Sequence, residues 1–452
     1  MRRAHLLGRL SGLLLSLLFT GTALAHGASL GAREASATDV PTWLVLLTGG
    51  AVVGASFLLA SFATDRDFVR SLHEWRRPVS LPRAPLAWVG RALGLVALAV
   101  VVVGGVLGPT DPQRNVAILL VWVGWWAGLV MGAYLVGDVW RALDPARTVS
   151  RALPGGVRPL PSWLGAWPSV VAFLALVFVE VVSPLAERPS LLVAAVAGYV
   201  TLAVAGAVAV GRADWFERVD PVARVFRTYG RVAPIQRTED GLAVSLPGAA
   251  LVDATLSDGD VAFVVALLWG TTFDGLVATP AWADVVGPVF DAGVPPRALY
   301  LVTLVAGFVA FYAAYRAATR AARRTAPTYV TADALARRFA ASLLPIAAGY
   351  HLAHYLDYFL RLAPSLASAA VHPLSPVPLV LVVPGWLEVV SLFAVLLGHV
   401  VAVAVAHAVA FDTFPGRMQA IRSQYPLTVV LVCYTVVSLW IVSQPTVTPP
   451  GL

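Results

Sequence analysis

Residues 386–409 read WLEVVSLFAVLLGHVVAVAVAHAV, a stretch of 24 residues in which Glu388, near the start, is the single charged side chain. A helix of about 20 apolar residues crosses the ~30 Å hydrocarbon core of a bilayer, whereas a barrel strand needs about half that length and alternates in polarity. The whole chain agrees with the helical choice, because 58% of its 452 residues are hydrophobic and only 13% are charged. The sequence therefore predicts an integral membrane protein made of helices.

Similar apolar stretches recur along the chain and predict an all-α, polytopic transmembrane helical bundle of about ten spans. Their ends are set by charged residues, prolines and glycines. The predicted spans are residues 43–63, 86–107, 115–136, 163–183, 190–210, 260–277, 299–318, 339–360, 386–409 and 427–443.

The N-terminus has the three parts of a cleavable signal peptide, which we assign to residues 1–25. It opens with the charged sequence MRR, continues with an apolar stretch at 10–19 and ends with ALA at 23–25. We expect the mature chain to begin at His26, so that residues 26–452 form the bundle. An uncleaved first membrane helix is the alternative, although the apolar part is short for a span.

The arginines predict the orientation of the bundle. The chain contains no lysine, and 23 of its 32 arginines fall within or beside alternate loops, which the positive-inside rule places on the cytoplasmic side. These loops are residues 64–85, 137–162, 211–259, 319–338 and 410–426. Both the mature N-terminus and the C-terminus are therefore expected outside. Since the arginines are spread over many loops, they do not form the basic face that nucleic-acid binding needs.

The longest cytoplasmic loop, 211–259, is predicted to form a small cap. Its amphipathic stretch at 215–226 carries arginines and suits a helix lying on an anionic inner leaflet. A turn at 239–241 leads into a predicted short strand at 242–246. The chain contains no nucleotide-binding glycine loop, G-x-S-x-G or H-E-x-x-H motif, so the cap is not expected to be a catalytic domain.

Ionisable side chains at membrane depth are rare and costly, so each is a candidate functional residue. At ~1.5 Å per helical residue, one aspartate and three histidines fall in one layer of the predicted bundle, and a fourth histidine lies ~12 Å deeper. Imidazole and carboxylate ligands suit a divalent metal ion, with zinc or iron favoured, and Cys433 is the single cysteine, which excludes cysteine-based sites. The candidate metal ligands are Asp274, His351, His354, His399 and His407.

Two other interpretations of these residues stay open. The histidines could be neutral and hydrogen-bonded to neighbouring spans, where they would only hold helices together. Axial imidazoles on facing helices, His351 or His354 with His399, could also hold a haem, although nothing else in the sequence marks a porphyrin slot.

Several short motifs together resemble those of the fenitrothion hydrolase-like family of multi-span prokaryotic membrane proteins, which takes its label from an organophosphate-degrading enzyme. The resemblance runs over nearly the whole chain in the same order, and the motif matches single out Asp274, His354, His399 and His407. Two features depart from the family pattern: His351 and Asp357 do not belong to it, and the family more usually has asparagine where this chain has Asp144. The matching stretches are AHG at 25–27, GDVWR at 137–141, DPART at 144–148, TFDG at 272–275, AHY at 353–355, GH at 398–399, AH at 406–407 and RSQYP at 422–426.

These observations lead to three functional hypotheses for a prokaryotic plasma-membrane protein. The first is a metal-dependent hydrolase that acts on small apolar, organophosphate-type esters in the outer half of the bundle. The second is an ion-coupled transporter or permease, in which the same histidines and aspartate relay protons or bind a coupling ion. The third is a non-catalytic partner subunit of another membrane protein. The lipid bilayer is the partner common to all three, and no nucleic acid is expected.

Overall fold

The computed structural model describes residues 42–79, 83–156, 158–238 and 241–452, and most of these residues are helical. The predicted signal peptide and His26 lie outside the described residues. The helices are α1 (Thr42–Ala60), α2 (Arg66–Glu74), α3 (Arg83–Leu107), α4 (Val116–Leu135), α5 (Trp140–Leu143), α6 (Pro145–Ser150), α7 (Trp167–Val182), α8 (Pro189–Val210), α9 (Pro221–Gly230), α10 (Asp258–Val277), α11 (Pro280–Asp291), α12 (Pro296–Thr325), α13 (Ala332–Phe339), α14 (Leu344–Val371), α15 (Leu387–Thr413) and α16 (Arg417–Val442). Shorter helical turns lie at Pro112–Arg114, Ser162–Leu164, Pro184–Ala186, Arg212–Asp214, Trp215–Val219, Ala249–Leu251 and Ala340–Leu343.

Eight of the described helices are long and apolar enough to cross a membrane, namely α1, α3, α4, α8, α10, α12, α15 and α16. This confirms the prediction of an all-α, multi-pass membrane protein for the described part of the chain. The two other predicted spans coincide with α7, which has 16 residues, and with α14, whose 28 residues include Asp357 and Arg361. The count of ten spans stays a prediction.

Helix α10 lies at the centre of the bundle. Of the residues in its most apolar window 89% are buried, against 17% in α1, α3 and α12. The peripheral helices therefore present their apolar side chains to lipid, as a helix with no polar face must. Ser257 caps the start of α10 and exchanges hydrogen bonds with Asp260, which fixes this end of the central helix.

Helices α14 and α15 cross at two glycines, and this crossing positions the histidines of both helices. A Cβ atom built on Gly349 would lie 3.2 Å from the Cα atom of Gly398, so the two backbones touch where neither residue has a side chain. Such close approach at small residues is how membrane helices gain packing contacts. His351 and His399 follow within two residues of the crossing and are thereby buried between helices.

The predicted cap contains a short strand, as expected, but its amphipathic segment does not lie on a surface. Strand β3 (Leu242–Ser245) pairs antiparallel with β1 (Arg76–Val79) and β2 (Ile235–Arg237), in the order β1-β3-β2. Helix α9, in contrast, is buried over nine of its ten residues. Its arginine Arg224 is 3% exposed and pairs with Asp260 of α10, so neighbouring helices, and not lipid headgroups, cover this segment.

Two Asp-Pro turns, at Asp144 and Asp220, have the same local structure, and this similarity was not predicted from the sequence. Asp144 and Asp220 each cap the helix that follows them, and each is followed by proline at the first helical position, where a missing N–H costs nothing. The backbone N–H of Asp144 donates to the carbonyl of Trp140, and that of Asp220 donates to the carbonyl of Trp215. The second turn is one residue longer, and a π-helical turn absorbs the extra residue.

Candidate functional site

Asp274 forms the centre of a polar cluster inside the bundle. It lies near the C-terminal end of α10 and is 7% exposed. Its Oδ2 atom lies 3.3 Å from Nε2 of His354 and accepts a 2.9 Å hydrogen bond from the hydroxyl of Tyr355, so two neighbouring side chains of α14 hold one carboxylate oxygen. The next residue, Gly275, leaves room for the hydroxyl of Tyr350, which a Cβ atom would displace.

A small cavity of about 70 Å³ lies beside this cluster. His354, Asp357 and Tyr358 of α14 line one side, and Thr279 and Gln444, which follow α10 and α16, line another. The cavity has room for a few water molecules and is much smaller than the 300–1,000 Å³ of a typical small-molecule site. The imidazole of His354 therefore lies between a buried carboxylate and a space that water can occupy.

His351 extends the cluster away from this cavity. Its Nδ1 atom lies 3.1 Å from the hydroxyl of Tyr134 on α4, and its ring lies 4.6 Å from that of Tyr355. Tyr134 in turn packs edge-on against Tyr229 of α9 at 5.4 Å, and the Tyr229 hydroxyl donates to the carbonyl of Ala347. A row of imidazole and phenol groups therefore leads from Asp274 to the buried helix α9.

The two histidines of α15 have other surroundings. Nδ1 of His399 lies 2.8 Å from the carbonyl of Val395 in its own helix, and its Nε2 atom is buried with no hydrogen-bond partner among the described residues. His407 lies between Gln424, 3.3 Å from Nδ1, and the carbonyl of Ala63, 2.9 Å from Nε2. His407 therefore joins α15 to α16 and to the loop after α1.

Of the candidate metal ligands, the structure brings Asp274 and His354 into direct contact. His351 bonds to Tyr134, His407 bonds to Gln424 and His399 bonds to its own backbone, so a metal site that includes these three histidines stays a prediction. Within the described ranges, no group of three or more His, Cys, Asp or Glu side chains is placed to hold a metal ion. Structural zinc sites use four ligands and catalytic sites use three, so the contacting pair alone does not fit either.

No protein-family model matches this chain, and no curated protein or solved structure matches it. The resemblance to the fenitrothion hydrolase-like family therefore rests on the motifs quoted above. The chemistry of the site has to follow from its own side chains.

Two tyrosines that complete the site, Tyr350 and Tyr355, were not among the residues predicted from the sequence. Tyr355 holds the same oxygen of Asp274 as His354 does, and the ring of Tyr350 stacks over the imidazole of His354 at 6.1 Å. In the stretch at 349–358, GYHLAHYLDY, each histidine has a tyrosine directly beside it in the sequence. That adjacency was the available signal, because phenol hydroxyls are the natural hydrogen-bond partners of buried imidazoles and carboxylates.

Two further buried carboxylates lie at the Asp-Pro turns, outside the membrane-length helices. Asp144 is 3% exposed and Asp220 is 1% exposed, and each caps a helix with its Oδ1 atom. Burial raises the pKa of Asp144 to about 6, and the nearby Asp220 adds to the rise, while the Arg147 backbone and guanidinium oppose it. Burial also raises the pKa of Asp220, although the hydroxyl of Tyr199 donates to it at 2.7 Å.

Proposed function

We propose that this protein is a multi-pass permease of a prokaryotic plasma membrane that couples transport to proton movement through Asp274 and His354. In this proposal ten spans cross the membrane, both ends of the mature chain lie outside and the cavity beside His354 faces outward. The contact between Asp274 and His354 carries the proposal.

A carboxylate at membrane depth is costly unless a partner stabilises its charge. An ionised Asp274 needs a partner there, and His354 becomes a cationic partner when it takes up a proton. The hydroxyl of Tyr355 stabilises the charged carboxylate in either state of the imidazole. The pair can therefore receive a proton from water in the cavity and release it again without a large movement of either side chain.

The row of imidazole and phenol rings offers a path for proton transfer away from the cavity. The ring of His351 lies next to that of Tyr355 and bonds to Tyr134, which packs against Tyr229. His351 has a buried Nε2 atom with no partner among the described residues, so it can change its tautomer without breaking a second protein hydrogen bond. Small rearrangements of water or side chains would connect the groups that are in ring contact only.

The metal-dependent hydrolase stays a prediction from the sequence. A water-sized cavity suits a proton better than it suits an organophosphate ester, and a metal site would need a third ligand beside Asp274 and His354. Metal analysis of the purified full chain tests this hypothesis, because stoichiometric zinc or iron that is lost in His399→Ala would favour the hydrolase over the permease. The partner-subunit hypothesis has no feature of the described residues in its favour.

Proton movement can be measured with purified protein reconstituted into liposomes that contain a pH-sensitive dye. We expect a pH gradient to dissipate faster with the wild-type chain than in empty liposomes, and Asp274→Asn and His354→Gln to abolish the difference. Asp284→Asn and His372→Gln are the matched controls, because both side chains are exposed and lie outside the cluster. Equal flux in wild type and Asp274→Asn would refute the proposal.

The orientation is tested separately by reporter fusions. A cytoplasmic reporter should be active in the 211–259 loop, and an external reporter should be active after the C-terminus. Activity of an external reporter in the 211–259 loop would overturn the proposed topology.

A further inference from the structure

A chamber of about 560 Å³ lies between α3, α4, α7 and α8, with the Asp-Pro turns and α9 at one end. Its volume falls within the range of sites that enclose small organic molecules. Its wall is almost entirely apolar. Contact of such a wall with water is unfavourable, so an apolar ligand that displaces water from it would gain binding free energy. The wall is also rich in aromatic side chains, which are Trp122, Trp125, Trp126, Trp140, Phe173, Tyr199 and Phe226.

Helix α4 brings three of these tryptophans to the chamber through unusual backbone geometry. Its central part, Leu119–Leu129, is π-helical and contains Trp122, Trp125 and Trp126. Long π segments are rare, and short ones occur frequently at functional sites. The indole N–H groups of Trp122 and Trp125 are buried and have no acceptor among the described residues.

Two carboxylates, Asp144 and Glu180, interrupt the apolar wall, and among the described residues no arginine lines the chamber. Asp144 uses Oδ1 to cap α6, while its Oδ2 atom is buried without a hydrogen-bond partner in the described residues. The Nε atom of Arg147 lies 3.7 Å from Oδ2, which is too long for a hydrogen bond. A buried acceptor without a hydrogen-bond partner is costly, and Arg147 balances the charge of Asp144 only through this 3.7 Å ion pair, so a positively charged ligand in the chamber would add to that balance.

We propose that this chamber binds a bulky lipophilic organic cation. The faces of the tryptophan and phenylalanine rings attract such a cation through their negative quadrupoles, and Asp144 and Glu180 supply the countercharge. A metal ion does not fit, because the aromatic wall cannot replace its hydration shell. A neutral apolar molecule would fill the volume but would add no positive charge beside Asp144 and Glu180.

The inference rests on the proposed permease function, for which it names the substrate class. Trp126 connects the two regions, since its ring lines the chamber and also lies 5.8 Å from the ring of His351 and 6.2 Å from that of Tyr355. A bound cation that shifts this indole would therefore change the packing of the row of rings that leads to Asp274. Exchange of protons for a lipophilic cation follows from this arrangement.

The binding should depend on pH through Asp144. Arg147 of its own helix, Asp220 at the start of α9 and Tyr199 of α8 face this carboxylate, and Glu180 lies on the same chamber wall. Since the pKa of Asp144 is raised to about 6, the carboxylate is neutral in acid and charged at neutral pH. A cation should therefore bind more tightly as the pH rises through 6.

The test uses the purified full chain in detergent, with equilibrium dialysis of tetraphenylphosphonium and of the neutral, similarly shaped triphenylphosphine oxide. We expect the cation to bind at least ~10-fold more tightly than the oxide, and Asp144→Asn to lose at least ~10-fold in affinity for the cation. Asp253→Asn, an exposed carboxylate outside the chamber, should bind as the wild type does. Ala97→Trp should block the chamber, whereas Ala99→Trp on the same helix faces away from it and should not.

Equal affinity for the cation and the oxide, or unchanged cation affinity in Asp144→Asn, would overturn the inference. Asp274→Asn separates the two proposals in the same assay, because it should still bind the cation although it moves no protons. Cation binding that depends on Asp144, in a protein that shows no proton flux, would support the chamber and refute the permease. Proton flux that depends on Asp274, in a protein that does not bind the cation, would support the permease and refute the cation chamber.

Discussion

Asp144→Asn should stabilise the protein at neutral pH. The pKa of Asp144 rises from 3.8 to about 6 in the fold, because burial and the neighbouring Asp220 outweigh the helix cap and Arg147. The folded state therefore holds a proton that the unfolded chain releases, so this residue favours folding below about pH 4 and loses that contribution as the pH rises through 6. At 1.36 kcal/mol per pKa unit, the loss is about 3 kcal/mol.

Asparagine keeps the helix cap, since its side-chain oxygen can accept the same backbone N–H, and it carries no charge to desolvate. The gain should be close to zero at pH 4 and should approach about 3 kcal/mol above pH 7. Unfolding in mixed detergent micelles, followed by circular dichroism at pH 4 to 8, measures both proteins under the same conditions. Asp253→Asn, whose carboxylate is exposed, should leave the stability difference between pH 4 and pH 8 unchanged.

A loss of stability in Asp144→Asn at pH 8 would refute this reasoning, because it would mean that the pair with Arg147 outweighs the cost of burial. The outcome also bears on the cation chamber. A variant that folds more stably than the wild type cannot lose cation binding through unfolding.

Three further substitutions probe the packing of the bundle by thermal unfolding in detergent. Gly349→Val places side-chain atoms against the backbone of α15, and we expect it to cost about 1–3 kcal/mol or to separate the two helices; a neutral effect would contradict the crossing. Tyr315→Phe removes a buried 2.6 Å hydrogen bond to the carbonyl of Ala336 and should cost about 1 kcal/mol, whereas no loss would indicate another donor. Arg224→Ala leaves Asp260 without its buried partner and should cost about 3–5 kcal/mol, which adding Asp260→Asn should partly restore.

Much of the architecture follows from the sequence, because apolar length alone decides which segments can cross a bilayer. Every predicted span coincides with a helix in the described residues, including α14, where Asp357 and Arg361 lower the hydropathy. Amphipathicity was less informative about where α9 lies. Its arginines predict a surface helix, but Arg224 pairs with Asp260 of α10. An ion pair between distant parts of the chain cannot be recognised from the local sequence pattern.

The site was predictable in part. Helical rise places Asp274 and His354 at the same depth, and the structure brings them into contact. Depth does not specify rotation about the helix axis, however. His399 shares the layer, but its Nδ1 atom turns to the carbonyl of Val395 in the same helix, which no spacing rule can anticipate. The chamber was not predictable from the sequence, because its wall forms where several consecutive helices between residues 93 and 226 pack together, and their rotation about their axes is set by tertiary contacts.

The burial of α9 fixes an order of assembly during synthesis. Tyr229 donates to the carbonyl of Ala347, so the contacts of α9 cannot be complete until α14 has emerged from the ribosome more than a hundred residues later. At 5–20 residues per second this delay is on the order of ten seconds. During that interval the contacts of α9 with α14 are missing although Arg224 can already pair with Asp260, so this part of the half-made chain is exposed to proteolysis and misassembly.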